Sequence, residues 1–342
     1  MFRSYFFIVA AIGLVGGLAG CAKDAATTVA PTTPTTPTTP TAYTGTGSVS
    51  QGKGTTTTAN LFAAGIRVAA LGTITSTDNK TWTVPADVNY ASASFPLASD
   101  LHNSYVAGHA YATAASAVAA LSSGSDIVTI DSGGDVYTAY IFADNYFELY
   151  INGIAVGKDA VPYTEFNSSI VRFRALKPFT VAVKCVDWEE SLGLGMETQG
   201  SSSTYVGDGG FVAVIKNAAG TTVAHTNSTW KAQTYYTAPV VDLACASESG
   251  GYRNSAACST TAATSSSYGL HWPVPATWFS PIYDDAGWPA ATTFSNATVG
   301  VNNKPSYTNF TDVFDSSAAD ASFIWSTNLL LDNVVLLRKQ VQ

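Results

Sequence analysis

Beyond about residue 60, apolar positions recur at every second residue or in short unbroken runs. Clusters of Gly, Asn, Asp and Ser interrupt them. Alternation of this kind is the pattern of half-buried strands, and runs of four to eight apolar residues fit strands buried on both faces. Thr81-Trp82-Thr83-Val84 alternates and stops at Pro85. Asp126 to Ile130 is a strand, Ser132-Gly133-Gly134 a turn, and Val136 to Ala143 the strand after it. Tyr140 to Gly153 gives a strand, a polar Asp144-Asn145 turn, an alternating strand and an Asn-Gly turn. Further strands follow at Val171 to Arg174, at Phe179 to Val186 after Pro178, and at Gly210 to Ile215. The chain closes on Phe323-Ile324-Trp325 and Val334 to Val341. Only Ala110 to Leu121, rich in alanine, predicts a helix.

The start of the chain has another pattern. Met1-Phe2-Arg3 is short and basic, Tyr5 to Gly17 is apolar and uncharged, and Leu18-Ala19-Gly20-Cys21 follows. The order basic, apolar, small is that of a secretory signal. Leu18 to Cys21 resembles the lipobox of bacterial lipoproteins. The resemblance implies cleavage before Cys21 and acylation of its thiol and new amino group. Ala22, in place of Asp, then favours the outer membrane. An ordinary signal followed by an unrelated cysteine is the alternative. Several acyl chains anchor far more firmly than one. No later stretch reaches the roughly 18 apolar residues of a membrane span. From Thr27 to Thr41 the sequence repeats Pro-Thr-Thr, which favours extended polyproline II. Four segments result: a signal peptide over 1–20, a lipidated cysteine and stalk over 21–58, a segment of unassigned fold over 59–125, and an all-β domain over 126–342.

"ADNYFELYINGIAVG", "NSTWKA", "YDDAGWPAAT" and "LLLDNVVLLRK" occur in that order. Together they resemble the galactose-binding-like jelly roll, a β-sandwich found as sugar-binding modules of bacterial glycoside hydrolases. The resemblance covers roughly residues 130–342. It implies a jelly-roll sandwich, a carbohydrate ligand and, as in many such modules, a structural calcium ion. Asp208, in the polar Gly-rich loop Val206 to Gly210, would be the calcium ligand, since glycine lets backbone carbonyls converge beside a carboxylate. A tight turn is the other reading of that loop.

Composition narrows the function classes. Charged residues are only 12% of the chain, against a usual value of about 25%. With 16 Lys+Arg against 24 Asp+Glu the formal charge is −8. So few cations leave no footprint for a polyanion, so no nucleic acid is expected as partner. Gly47 to Gly54 nearly spells a phosphate-binding loop, but Gly54 stands where a metal-binding hydroxyl belongs, and no apolar strand precedes it. Of four cysteines, Cys21 is assigned to lipid. Cys245 and Cys258 bracket a loop of 12 residues and are expected to pair, as an oxidising compartment permits. Cys185, within a strand, is expected to be a buried thiol.

The chain contains no H-E-x-x-H and no G-x-S-x-G. His102, His109, His225 and His271 share no metal-ligand spacing of two or four. Asp187-Trp188-Glu189-Glu190 is the one dense acidic cluster. It follows a strand end, which places it at the rim of the sandwich, where loops carry function. Three roles suit it. It is a sugar site, with carboxylates taking hydroxyl hydrogen bonds and Trp188 packing on C–H surface. It is a structural rim, with Trp188 capping the core and the glutamates paired to Arg172 or Arg174. Or Glu189 and Glu190 form a glycosidase pair, although adjacent carboxylates often diverge. Trp230, Tyr235, Tyr236, His271, Trp272 and Trp278 make the second half aromatic, either as core or as a sugar platform. The expected function is therefore a non-enzymatic, lipid-anchored module binding carbohydrate or matrix. An envelope protein that docks on another protein is the alternative, and a glycosidase the third reading.

Overall fold

A computed structural model describes residues 43–342, apart from 66, 122, 123, 125, 164, 165, 200–202 and 262. The signal peptide, Cys21 and the Pro-Thr repeat lie outside the described residues. The fold is an all-β sandwich of two antiparallel sheets. The first sheet has seven strands in the order Ser48–Gln51, Tyr268–His271, Lys231–Val240, Asp332–Val341, Phe179–Val186, Tyr146–Ile151 and Ile154–Lys158. The second runs Thr292–Phe294, Phe323–Trp325, Gly210–Asn217, Asp135–Asp144, Ser168–Ala175 and Ser99–His102. Thr222–His225 and Ile127–Thr129 add to it, the latter in parallel. From Asp135 to Val240 the long strands alternate between the sheets.

Alternation along each strand sorts its side chains between two cores. Phe147, Leu149, Val181, Val183, Cys185, Val335 and Leu337 point inward, against Ile141, Phe173, Phe211 and Ala213 of the second sheet. Their neighbours Tyr146, Tyr150, Ala182, Val186, Val334 and Leu336 point outward. The outward face is not left to water. Segment 59–125, which the sequence leaves without a fold, covers much of it. Thr55–Thr58, Leu71–Thr75 and Thr81–Val84 form a small sheet, and Ile74, Val84, Ala86 and Phe95 pack onto the outward residues. Ser99–His102 then joins the second sheet as an edge strand. The predicted helix is present over Ala114–Ala120, capped by the Thr113 hydroxyl accepting from Ser116 N–H.

Residues 48–58, expected to belong to the stalk, contribute two strands. Ser48–Gln51 pairs with Tyr268–His271, and Thr55–Thr58 pairs with Leu71–Thr75. The all-β fold likewise extends upstream of residue 126. Serines and threonines read as linker because they are polar, yet they serve as edge-strand residues when a neighbouring strand pairs with them.

A row of charges lies beneath this covering layer. Lys184, Glu148 and Lys158 are register partners on three adjacent strands of the first sheet, all buried. Glu148 accepts hydrogen bonds from Asn89 N–H and, at 2.9 Å, from Asn89 Nδ2. Lys158 Nζ donates to the carbonyls of Asn89, Tyr90 and Ser92 at 2.9, 2.6 and 2.7 Å. Lys184 Nζ lies 3.4 Å from Glu148 and donates to the Asp87 carbonyl at 2.7 Å. Three buried charges thus clamp residues 87–92 onto the sheet. Burial of this kind is tolerated only when each charge is paired and hydrogen-bonded.

Candidate functional site

The acidic loop emerges where the strand Phe179–Val186 ends, as its sequence position predicts, but its side chains turn inward. Trp188 is fully buried, edge-on to Tyr146 at 5.9 Å, and its backbone N–H donates to Asn145 Oδ1. It offers no face for a sugar to stack on. Glu189 is 1% exposed. It accepts from the N–H groups of Gly193 (2.8 Å) and Gly195 and from the Tyr236 hydroxyl (3.2 Å). Burial pushes its pKa up to about 7, against those hydrogen bonds. Glu190 pairs with Arg67 at 2.6 Å, not with Arg172 or Arg174, and takes the Thr198 N–H. Arg67 also reaches Glu197 at 3.2 Å. The two carboxylates are thus committed to different partners, Glu189 to backbone N–H groups and Tyr236, Glu190 to Arg67 and the Thr198 N–H.

Asp187 belongs to the same buried patch. Burial holds its carboxyl well above the usual range, and Glu197, Asp144 and Asp208 add to the effect while Arg67 opposes it. Asp208 is pushed up to about 6 by burial, with Glu197 contributing. Among the described residues no three His, Cys, Asp or Glu side chains are arranged to hold a metal ion, and Asp208 is no exception. Burial and the neighbouring carboxylates thus disfavour the charged forms of Asp187 and Asp208.

Cys245 and Cys258 are joined by a disulfide, and Cys185 is a buried free thiol. Trp230 is core: it packs against Phe211 of the second sheet, and its Nε1 donates to the His225 carbonyl at 2.8 Å. The rest of the aromatic set converges. Tyr235, Tyr236, His271, Trp272 and Trp278 line a cavity of about 370 Å³ on the outward face of the first sheet. Its floor includes Tyr236, Val334 and Lys184. One wall is formed by Thr81 to Thr83 and Pro85 to Asp87, the other by residues 272–278. The size falls within the range of small-ligand sites, about 300–1,000 Å³.

The walls are held from behind. His271 is stacked between Tyr236 (centroids 4.6 Å apart) and Trp82 (5.3 Å), and its Nε2 shares a hydrogen bond of 2.7 Å with Ser50 Oγ. Burial pushes the imidazole down to about 3, so it is neutral. The Ser50–His271 pair has the composition of a nucleophile and base, but Ser50 is fully buried and does not line the cavity. Trp272 Nε1 donates to Glu248 at 3.3 Å, and the Arg253 guanidinium lies 4.4 Å from the Tyr235 ring and 4.7 Å from that of Trp272. Arg338 fixes the far wall by donating to the Trp278 carbonyl and pairing with Asp285 at 2.7 Å. Trp288 folds inward beside Tyr235 and Tyr283.

Three lining residues carry no signal in the sequence as site residues: Trp82, Asp87 and Lys184. The alternation around Trp82 marks a strand but not its destination. Lys184 stands in an apolar run, Val-Lys-Cys-Val, where an isolated lysine is the only hint. The site is assembled from five separate stretches of chain, so only their packing reveals it. No protein-family model, no curated protein and no solved structure matches this chain.

Proposed function

We propose that the chain is a non-enzymatic binding module that takes a carbohydrate in the cavity between Trp82 and residues 272–278. A lipidated Cys21 holds it at the bacterial outer membrane. The observation that carries the ligand reading is the cavity itself: three indoles and two tyrosines with a few polar groups, the lining that a sugar uses through its C–H faces and hydroxyls. The resemblance of "ADNYFELYINGIAVG" and the later segments to galactose-binding-like modules supports the same class. Residues Leu18 to Cys21 support the anchor.

A glycan array probed with the full chain tests the ligand. Half-buried Trp82, changed to Ala, should weaken binding about tenfold or more, by loss of a stacking contact of roughly 1–3 kcal/mol. An array without a hit, using protein shown to be folded, rejects the carbohydrate. Mass spectrometry of the membrane-extracted protein tests the anchor: an unacylated Cys21 rejects it. The second reading, docking on another envelope protein, draws on Ile282, which is 91% exposed on the loop beyond the cavity wall. Binding lost in Ile282→Asp but kept in Trp82→Ala would favour it.

A further inference from the structure

The charges around the cavity are almost all committed. His271 is neutral between its two rings. The Lys184 ammonium is matched by Glu148 at 3.4 Å and turned to the Asp87 carbonyl at 2.7 Å. Arg253 does not line the cavity and is held between the rings of Tyr235 and Trp272. Asp87 differs. Its backbone carbonyl is tied down, but its side chain is exposed and has no hydrogen bond or ion pair among the described residues. The cavity therefore keeps one uncommitted charge, and it is negative.

Asp87 lines the same cavity as Trp82, Tyr235, Trp272 and Trp278, and a free carboxylate together with aromatic faces is a lining that attracts a cation. The carboxylate supplies a charge-assisted hydrogen bond, and ring faces attract positive charge. The net charge of −8 on the whole chain acts in the same sense over longer range. A uronate or sulfate group would meet Asp87 with like charge and find no free guanidinium or ammonium.

We infer that the cavity selects a saccharide bearing a free ammonium group, with Asp87 as the specificity-determining residue. The inference rests on the carbohydrate reading above. Neutral sugars would use the same walls and leave Asp87 without a partner, so they bind more weakly, and acidic sugars bind least.

Calorimetric titration of the full chain with chitosan-derived tetramers, either deacetylated or fully N-acetylated, decides the matter. Cellotetraose and tetragalacturonate serve as the neutral and acidic probes. The deacetylated tetramer should bind about tenfold tighter than the N-acetylated one. That margin should vanish in Asp87→Asn, which keeps shape and removes charge. It should also narrow as salt is raised several-fold. Asp87 is exposed, so the melting temperature of the variant should match that of the parent, and the wild-type ranking stands even if it does not. Equal affinity for the two chitosan tetramers, a margin that survives Asp87→Asn, or tightest binding of tetragalacturonate overturns the inference and leaves the carbohydrate reading in place. Failure of every saccharide to bind a folded protein overturns both.

Discussion

The two faces of the first sheet are built from the same strands and obey different rules. The inward face is apolar throughout: Phe147, Leu149, Val181, Val183, Val335 and Leu337 meet their counterparts on the second sheet. The outward face carries Tyr146, Glu148, Tyr150, Lys158, Lys184 and Tyr236, and loops and small strands cover it. Inward, any well-fitting hydrophobe serves, because dispersion and dehydration have no direction. Outward, each polar atom needs its own partner, and partners come from distant sequence. The cavity opens on the second kind of face, where orientation is fixed by hydrogen bonds and stacked rings.

Neighbouring residues on opposite faces allow the contrast to be broken most strongly. Phe147→Ala should cost about 3–5 kcal/mol as a cavity in a dry core. Glu148→Ala should cost a similar 3–5 kcal/mol for another reason, since it strands two buried ammonium groups. Urea denaturation measures both, and proteolysis within residues 87–92 should rise only in the second. A Glu148→Ala cost below about 1 kcal/mol would mean that the charge row does not hold the cover.

The disulfide comes next. Cys245→Ser with Cys258→Ser should lower stability by about 3 kcal/mol through the loop it releases. In the parent protein, thiol labelling should find nothing while native and one thiol, Cys185, when unfolded without reductant, besides any unlipidated Cys21. Labelling of Cys258 in the unfolded, unreduced protein would refute the pairing.

A smaller effect follows from pH. Burial raises the folded pKa of Glu189 to about 7, of Asp159 to about 7 and of Asp208 to about 6, and raises that of Asp187 well above its usual value. A raised carboxyl keeps its proton in the fold longer than in the unfolded chain. Its contribution is present below about pH 4 and is lost as pH rises through the folded pKa. His271, depressed to about 3, works oppositely between about pH 3 and 6.5. The raised carboxyls, which include Asp332, outweigh His271 and the two other histidines that burial lowers, His102 and His225, and leave stability falling by about 1–3 kcal/mol from pH 5 to 7.5. Denaturant midpoints across that window measure it, and Glu189→Gln should flatten the slope. A midpoint that rises with pH would show that these carboxyls ionise freely in the fold.

The smallest effect sharpens the contrast most. Trp82 is half-buried, stacked on His271 and hydrogen-bonded through Nε1 to Ser76 Oγ at 3.0 Å, so Trp82→Ala should cost about 1 kcal/mol of stability while removing ligand affinity. A large loss of melting temperature would make Trp82 a structural residue.

What could be read in the sequence follows the same division. The alternation in Tyr146 to Ile151 places Phe147 and Leu149 in the core without further information. The same alternation assigns Glu148 to solvent, and there it fails. Its partners, Lys158, Lys184 and Asn89, stand opposite it only through strand register and chain crossing, which local pattern does not encode. The acidic loop was legible as a rim, but its cation was not: Arg67 lies more than a hundred positions upstream and on no shared motif. Tyr235, Tyr236 and Trp272 could be read as a set because aromatics crowd that part of the chain. Trp82 stood alone in a threonine-rich strand and gave no sign of joining them.

The order of strands in the first sheet has a consequence for the chain as it is made. The middle position of the seven is occupied by Asp332–Val341, and one edge by Ser48–Gln51, paired with Tyr268–His271. The earliest strand must wait for a partner more than two hundred residues behind it, and the sheet has no centre until the last strand arrives. Assembly of this sheet must therefore wait until Asp332–Val341 has been made. Until then, the apolar strands Phe179–Val186 and Lys231–Val240 carry open edges facing an empty slot, an interval in which aggregation competes with folding.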